Sequence, residues 1–231
     1  FNLKTSDFEF KAGPIFSNIV LIDEINRAPA KTQASLFEVM EERQVTVDKV
    51  THKMRTPYLV VATQNPIEQE GTYRLPEAQL DRFLFKIVVN YPELDQEIEI
   101  ISRHHSRKGV QPVAEVDAIL SAEQIAAFRG FTQQVHVEPN LITYIAKIIN
   151  EARNNPLLFL GASPRASIAI LTSAKAYALI HGRDFVSPED IKTDTIPVLR
   201  HRIVLSSEVE MEGTSADEIV KQIINKIEVP R

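Results

Sequence analysis

Two short apolar runs, separated by a stretch of helical periodicity, constrain this chain more than any other feature. Ile19-Val20-Leu21-Ile22 and Leu59-Val60-Val61-Ala62-Thr63 are β-rich runs of the length expected of buried strands. Between them, residues 29–42 place Pro29 at a first helical turn and Leu36, Phe37 and Met40 at helical spacing, which predicts a crossover helix. Strand, helix, strand is the signature of a parallel sheet, because parallel neighbours need a long crossover. A third β-rich run, residues 84–89, predicts a third buried strand. Residues 44–47 and 50–54 alternate on either side of Asp48-Lys49 and predict a β-hairpin inserted before the second strand.

After Tyr91-Pro92 the pattern becomes helical, with a first helix over residues 93–105 and a looser link at 109–112. Four further helix starts are legible: Ser121 with Gln124, Ser163 with Pro164, Ser187 with Pro188, and Ser215 with Glu218. The chain therefore divides into an α/β part, residues 1–112, and a nearly all-α part, residues 113–231. No internal repeat is visible.

With 231 residues, 44% of them hydrophobic, the chain can bury a real core in one or two domains. A formal charge of −5 with interspersed signs makes nucleic acid an unexpected direct partner. The absence of cysteine excludes disulfides, thiol nucleophiles and cysteine-based zinc sites. No apolar run is long enough to cross a bilayer and the N-terminus lacks a signal-peptide pattern, so a cytoplasmic protein is expected.

Chemistry is suggested at four places. Asp23 and Glu24 directly follow the first strand, and ligands of open α/β sheets bind beyond the carboxyl ends of strands. Such a pair suits phosphoryl-transfer hydrolysis, with Asp23 holding Mg²⁺ and Glu24 orienting or deprotonating water; a solvated strand end before an acidic helix start gives the same pattern. Asn65, in Gln64-Asn65-Pro66, emerges at the same end of the second strand and could position water, although Asn-Pro also starts turns. Arg82 follows a short predicted helix over residues 76–81. It could reach a neighbouring subunit's nucleotide, an effect of about a thousandfold or more in rate, or it could complement a helix C-terminus. Arg165 opens a helix behind Ser163 and Pro164, where a cation is misplaced unless an anion is near; a carboxylate partner would serve equally. The histidines form no metal motif, and His201 and Arg202 are expected on a helix surface.

The order of these segments resembles the MoxR-type AAA+ ATPases from about Phe8 to the C-terminal end. The resemblance is carried by Gly13-Pro14-Ile15-Phe16, Asp23-Glu24-Ile25-Asn26-Arg27, Ala62-Thr63-Gln64-Asn65-Pro66 and Leu75-Pro76-Glu77-Ala78-Gln79-Leu80-Asp81-Arg82-Phe83. It implies a partial AAA+ core with an inserted hairpin followed by a helical lid, and ATP and Mg²⁺ as cofactors. It also implies Asp23 and Glu24 as Walker B, Asn65 as sensor 1, Arg82 as the arginine finger and Arg165 as sensor 2. The hairpin would face the pore or substrate of a homo-oligomeric ring, expected to be a hexamer. Members are chaperone-like remodellers of client proteins, often alongside proteins with von Willebrand A domains.

One expected element is missing from the 231 residues: no Gly-x-x-x-x-Gly-Lys-Ser/Thr occurs. Without that loop's backbone donors and lysine, phosphate binding should be badly weakened, so this polypeptide alone is expected to hydrolyse ATP poorly or not at all. The family's central strand, between those at residues 59 and 84, is also expected to be absent, leaving unpaired backbone. A nonenzymatic scaffold binding partner proteins is one alternative. A DNA-acting motor is another, kept open by Lys49, His52, Lys53 and Arg55 of the hairpin.

Overall fold

A computed structural model describes residues 3, 6, 8, 10–47, 49–65, 73, 75–110, 113 and 116–230. Asp48 of the hairpin turn, Pro66 of the Asn-Pro pair and Pro112 of the link lie outside the described residues.

The α/β part opens with β1 (Ile19–Ile22), α1 (Ala30–Glu42), β2 (Gln44–Val47), β3 (Val50–Lys53) and β4 (Leu59–Ala62). As expected, β1 and β4 pair in parallel, from Ile19 opposite Leu59 to Ile22 opposite Ala62. The hairpin also forms, with Gln44 opposite Lys53 and Val47 opposite Val50. Pro29 sits one position earlier than expected, as the extended residue that caps α1.

The expectation of fully buried strands is met on one face only. Side chains alternate across a strand. Ile22 and Ala62 pack on Ile25, Phe37 and Leu75, while Val20 and Val60 pack on Val39, Met54 and Tyr58. Ile19, Leu21, Leu59 and Val61 stay exposed on the other face, Leu21 by 67%. α1 covers one side of the pair and cannot cover both.

After α2 (Glu77–Leu80), residues 84–89 do not form the expected strand and pair with no other strand among the described residues. The backbone of residues 84 and 86 is engaged from the helical part instead. Lys86 N donates to Pro197 O at 3.0 Å. The carbonyls of Leu84 and Lys86 accept from Arg202 and Arg200 at 3.0 and 3.2 Å. β propensity yields a strand only where a neighbouring backbone offers a ladder. α3 (Leu94–Ser106) follows, amphipathic but with none of its residues buried.

The helical part contains α4 (Ala122–Gln134), α5 (Pro139–Asn154), β5 (Leu158–Leu160), α6 (Pro164–Ile180), α7 (Pro188–Leu199), β6 (Val204–Leu205), α8 (Ser207–Met211) and α9 (Ala216–Lys226). All four expected starts are present. Ser121 and Gln124 cap each other reciprocally, as do Ser215 and Glu218. Ser163 accepts from the Arg165 amide, and Ser187 donates to Asp190 from both its amide and its hydroxyl. The start of α5 at Pro139 and the antiparallel pairing of β5 with β6 were not anticipated.

One continuous core joins α5, α6, α7 and α9 through Ile148, Ile170, Ile191, Val198 and Val220. Ala166, Ala169, Ala174 and Ala178 line the buried face of α6, and small residues let flanking helices approach closely. Gly161, just before α6, makes a tighter approach. A Cβ there would lie 2.6 Å from Ala152 O and 2.6 Å from Arg153 Cα, so no larger residue fits without movement of backbone.

Candidate functional site

The carboxyl ends of β1 and β4 are stitched together through Thr63. Its amide donates to Ile22 O at 2.9 Å, and its carbonyl accepts from the Ile25 amide at 3.1 Å. Its hydroxyl donates to Asp23 Oδ1 at 2.5 Å and accepts from the Glu24 amide at 2.9 Å. The backbone turns sharply at Glu24, which adopts a left-handed conformation at φ 50° and ψ 52° before the short 3₁₀ turn Ile25–Arg27. A non-glycine residue held there is strained, and strain of this kind concentrates at functional sites. Glu24 also pairs with Arg27 at 3.0 Å. Asn65 is half-buried two residues beyond Thr63, on the segment that leaves β4. Thr63 itself was not singled out from the sequence, although its place between the strand and Asn65 is where a side-chain clasp would have to sit.

The arginines form a second group, at the junction of the two parts. Glu41, near the end of α1, makes an ion pair with Arg82 and another with Arg165 Nη2 at 2.7 Å. Arg165 Nη1 also lies 3.7 Å from Asp81 Oδ2. The carboxylate partners allowed for Arg165 by its sequence context are thus Glu41 and Asp81. Arg82 is held by Glu41 and by Phe37 O at 3.4 Å.

His201 and Arg202 correct the expectation of a helix surface, for both are buried. Arg202, its side chain 3% exposed, donates to Asp81 Oδ1 at 2.9 Å and to the carbonyls of Asp81, Phe83, Leu84 and Val198. Burial pulls its pKa down, and Asp81 opposes that shift. Asp81 also accepts from the Ser163 hydroxyl at 2.9 Å. His201 Nε2 lies 2.9 Å from Phe83 O, and burial lowers its pKa to about 4, so the imidazole is neutral at pH 7. Two adjacent residues can both be buried here because the chain has left α7 and crosses between the two parts of the molecule.

The two groups are separate within one chain. Ile25 O accepts from Gln33 Nε2 at 3.2 Å, which pins the Asp23–Glu24 turn beside Gln33. Glu41 lies two helical turns further on, about 12 Å along the axis of α1. A cavity of about 310 Å³ opens beside Glu41 and Arg82, lined also by Ala34, Phe37, Glu38, Glu42 and Gln79. Neither Asp23, Glu24 nor Asn65 lines it, and its three glutamates do not suit a phosphate.

Among the described residues, no three His, Cys, Asp or Glu gather as a metal site. Two adjacent carboxylates and a hydroxyl at a strand mouth nevertheless fit Mg²⁺, which takes one or two protein carboxylates and completes its shell with water and substrate phosphate.

Residues 1–85 match the model of the ATPase family associated with various cellular activities, and residues 150–223 match the AAA lid domain. Over its whole length the chain is 44% identical to the uncharacterized protein YeaC of Bacillus subtilis, covering 71% of that protein. It is 41% identical to the chaperone MoxR1 of Mycobacterium tuberculosis over 97% of this chain and 61% of that one. The chain belongs to the MoxR-type AAA+ ATPases. Among solved structures, a candidate ATPase from Cytophaga hutchinsonii superimposes with a TM-score of 0.91 at 39% identity, covering all of this chain and 72% of that one. The MoxR-type fold thus accounts for both parts, a partial AAA+ core with parallel strands and the helical lid that follows it. No helix among the described residues is long and apolar enough to cross a membrane.

Proposed function

We propose that the intact protein hydrolyses ATP with Mg²⁺ at the contacts between copies in a ring, most simply a hexamer, and uses turnover to remodel a client protein. The observation that carries this reading is the Thr63 clasp, which holds Asp23 and Glu24 together at the mouth of two parallel strands. In this reading Asp23 holds the metal ion, which supplies positive charge beside the phosphates when bound. Glu24 orients and deprotonates the attacking water, and Asn65 positions that water from the neighbouring strand. Arg82 and Arg165 stabilise negative charge on the transferred group. Their separation from Asp23 within one chain favours completion of the site by an adjacent copy.

In this reading the core ends at residue 112 and the lid begins at residue 113. A cytoplasmic location and a von Willebrand A-domain partner belong to the same reading. The 231 residues hold no glycine-rich phosphate loop, and on their own they should bind and hydrolyse ATP poorly.

The test is Glu24→Gln in the full-length protein. Turnover should fall at least about a hundredfold, as expected on removing a positioned general base, while nucleotide stays bound. Unchanged turnover would rule out the assigned role and favour a scaffold.

A further inference from the structure

We propose that Asp81 and Arg202 are positioning residues through which the lid sets the place of Arg82. The proposal rests on the reading in which Arg82 acts on a nucleotide held by an adjacent copy. The lid holds the backbone on both sides of Arg82. Arg202 gathers the carbonyls of Asp81, Phe83 and Leu84 around one guanidinium, flanking Arg82 on both sides, and its Nε grips the Asp81 carboxylate. His201 binds Phe83 O and Arg200 binds Lys86 O, extending the grip along the segment.

The chemistry of this grip is directional. A planar guanidinium presents its donors in a fixed fork, so the carbonyls it binds are held in position and orientation together; a lysine ammonium at the same site would keep the charge and lose the fork. Ser163 donates to the same Asp81 carboxylate from the start of α6, two residues before Arg165. A shift of the lid would therefore move the backbone of Arg82 and the base of Arg165 as one unit. Glu41 then joins the two guanidinia from the core side. Arg82 is thereby sensitive to lid position although it belongs to the core.

Three variants of the full-length protein test this: Arg202→Lys, Asp81→Asn and Arg82→Ala, each first shown to be folded by its thermal transition. Asp81→Asn serves if Arg202→Lys does not fold. We expect Arg202→Lys or Asp81→Asn to lower kcat for ATP about tenfold with KM within about twofold of wild type, as misplacement of a group acting in the transition state should. Arg202→Lys combined with Arg82→Ala should lose no more than Arg82→Ala alone, because a displaced residue that has been removed cannot be displaced further. Independently of turnover, amide exchange at residues 82–86 should rise at least about tenfold in either single variant while exchange in α5 and α6 stays unchanged. Full kcat in a folded variant whose Arg82→Ala counterpart is impaired, or a multiplicative loss in the double variant, would overturn the proposal. So would unaltered exchange at residues 82–86. Full turnover in Arg82→Ala would instead overturn the reading of Arg82 as an acting group, and the exchange result would then decide the structural claim alone.

Discussion

The two parts of this molecule are built from similarly apolar sequence, yet they bury it differently. In the lid, α5, α6, α7 and α9 close on one another, and side chains such as Ile148, Ile170 and Val198 are fully enclosed. In the core, β1 and β4 are covered by α1 on one face, and the buried side chains fall into two small groups around Phe37 and Met54. Ile19, Leu21, Leu59 and Val61 face outward, as do Ile98 and Ile101 of α3. The lid encloses a continuous apolar interior, although Phe159, Ile168, Ile180 and Met211 stay on its surface; the core leaves one face of its two strands open. Polar bonding follows the same contrast, since residues 84–86 of the core rely on the lid for backbone partners.

The sharpest probe of this contrast is Ile170→Ala, which empties volume at the centre of the lid. It should destabilise the protein by about 2 to 5 kcal/mol in chemical or thermal unfolding. A loss below about 1 kcal/mol would mean that the lid core is looser than its burial indicates.

A second probe sits at the junction. His201 is neutral and buried, with a pKa of about 4 against 6.5 for an unperturbed histidine. Its folded-state pKa is depressed, so as pH falls below about 6.5 the unfolded state takes up the proton first and stability declines until pH reaches about 4. Between pH 7 and pH 5 the wild type should lose about 2 kcal/mol relative to His201→Gln. Taking the difference between the two proteins removes the contribution of Asp194, whose carboxyl burial pushes up. Parallel pH profiles would show that His201 is exposed to water in solution.

Ser215→Ala should cost about 1 kcal/mol by removing the cap of α9, detectable as a lower unfolding midpoint. The smallest effect belongs to the open face of the core: Leu21→Ser should change stability by no more than about 0.5 kcal/mol. A larger loss there would mean that β1 is covered on both sides in solution, which would erase the contrast.

Features that depend on neighbours in sequence were legible from the amino acids. Leu36, Phe37 and Met40 announced α1, the alternation around residue 48 announced the hairpin, and Ser121, Ser163, Ser187 and Ser215 marked helix starts. The apolar spacing of Leu141, Tyr144, Ile145, Ile148, Ile149 and Ala152 behind Pro139 could have announced α5 in the same way. Asp23 and Glu24 were legible as a pair because two carboxylates after an apolar run stand out without knowledge of contacts. Residues 84–89 carry strand propensity and form no strand here because pairing is a property of two segments, and propensity describes one. Arg202 was misread for a related reason. What buries it is Asp81, 121 positions away, and no local pattern distinguishes an arginine that will meet such a partner from one that will meet water. Glu41 went unnoticed among the glutamates of α1 because only the fold shows which of them lies between two arginines.

The absent methyl at Gly161 has a mechanical meaning. With α5 and the start of α6 almost touching there, the lid has no slack in the direction of its own α5. Even alanine would wedge them apart, carrying Ser163 and Arg165 with the displaced end. The fit between the end of α5 and the start of α6 thus depends on a hydrogen atom at position 161, where any side chain would force the two segments apart.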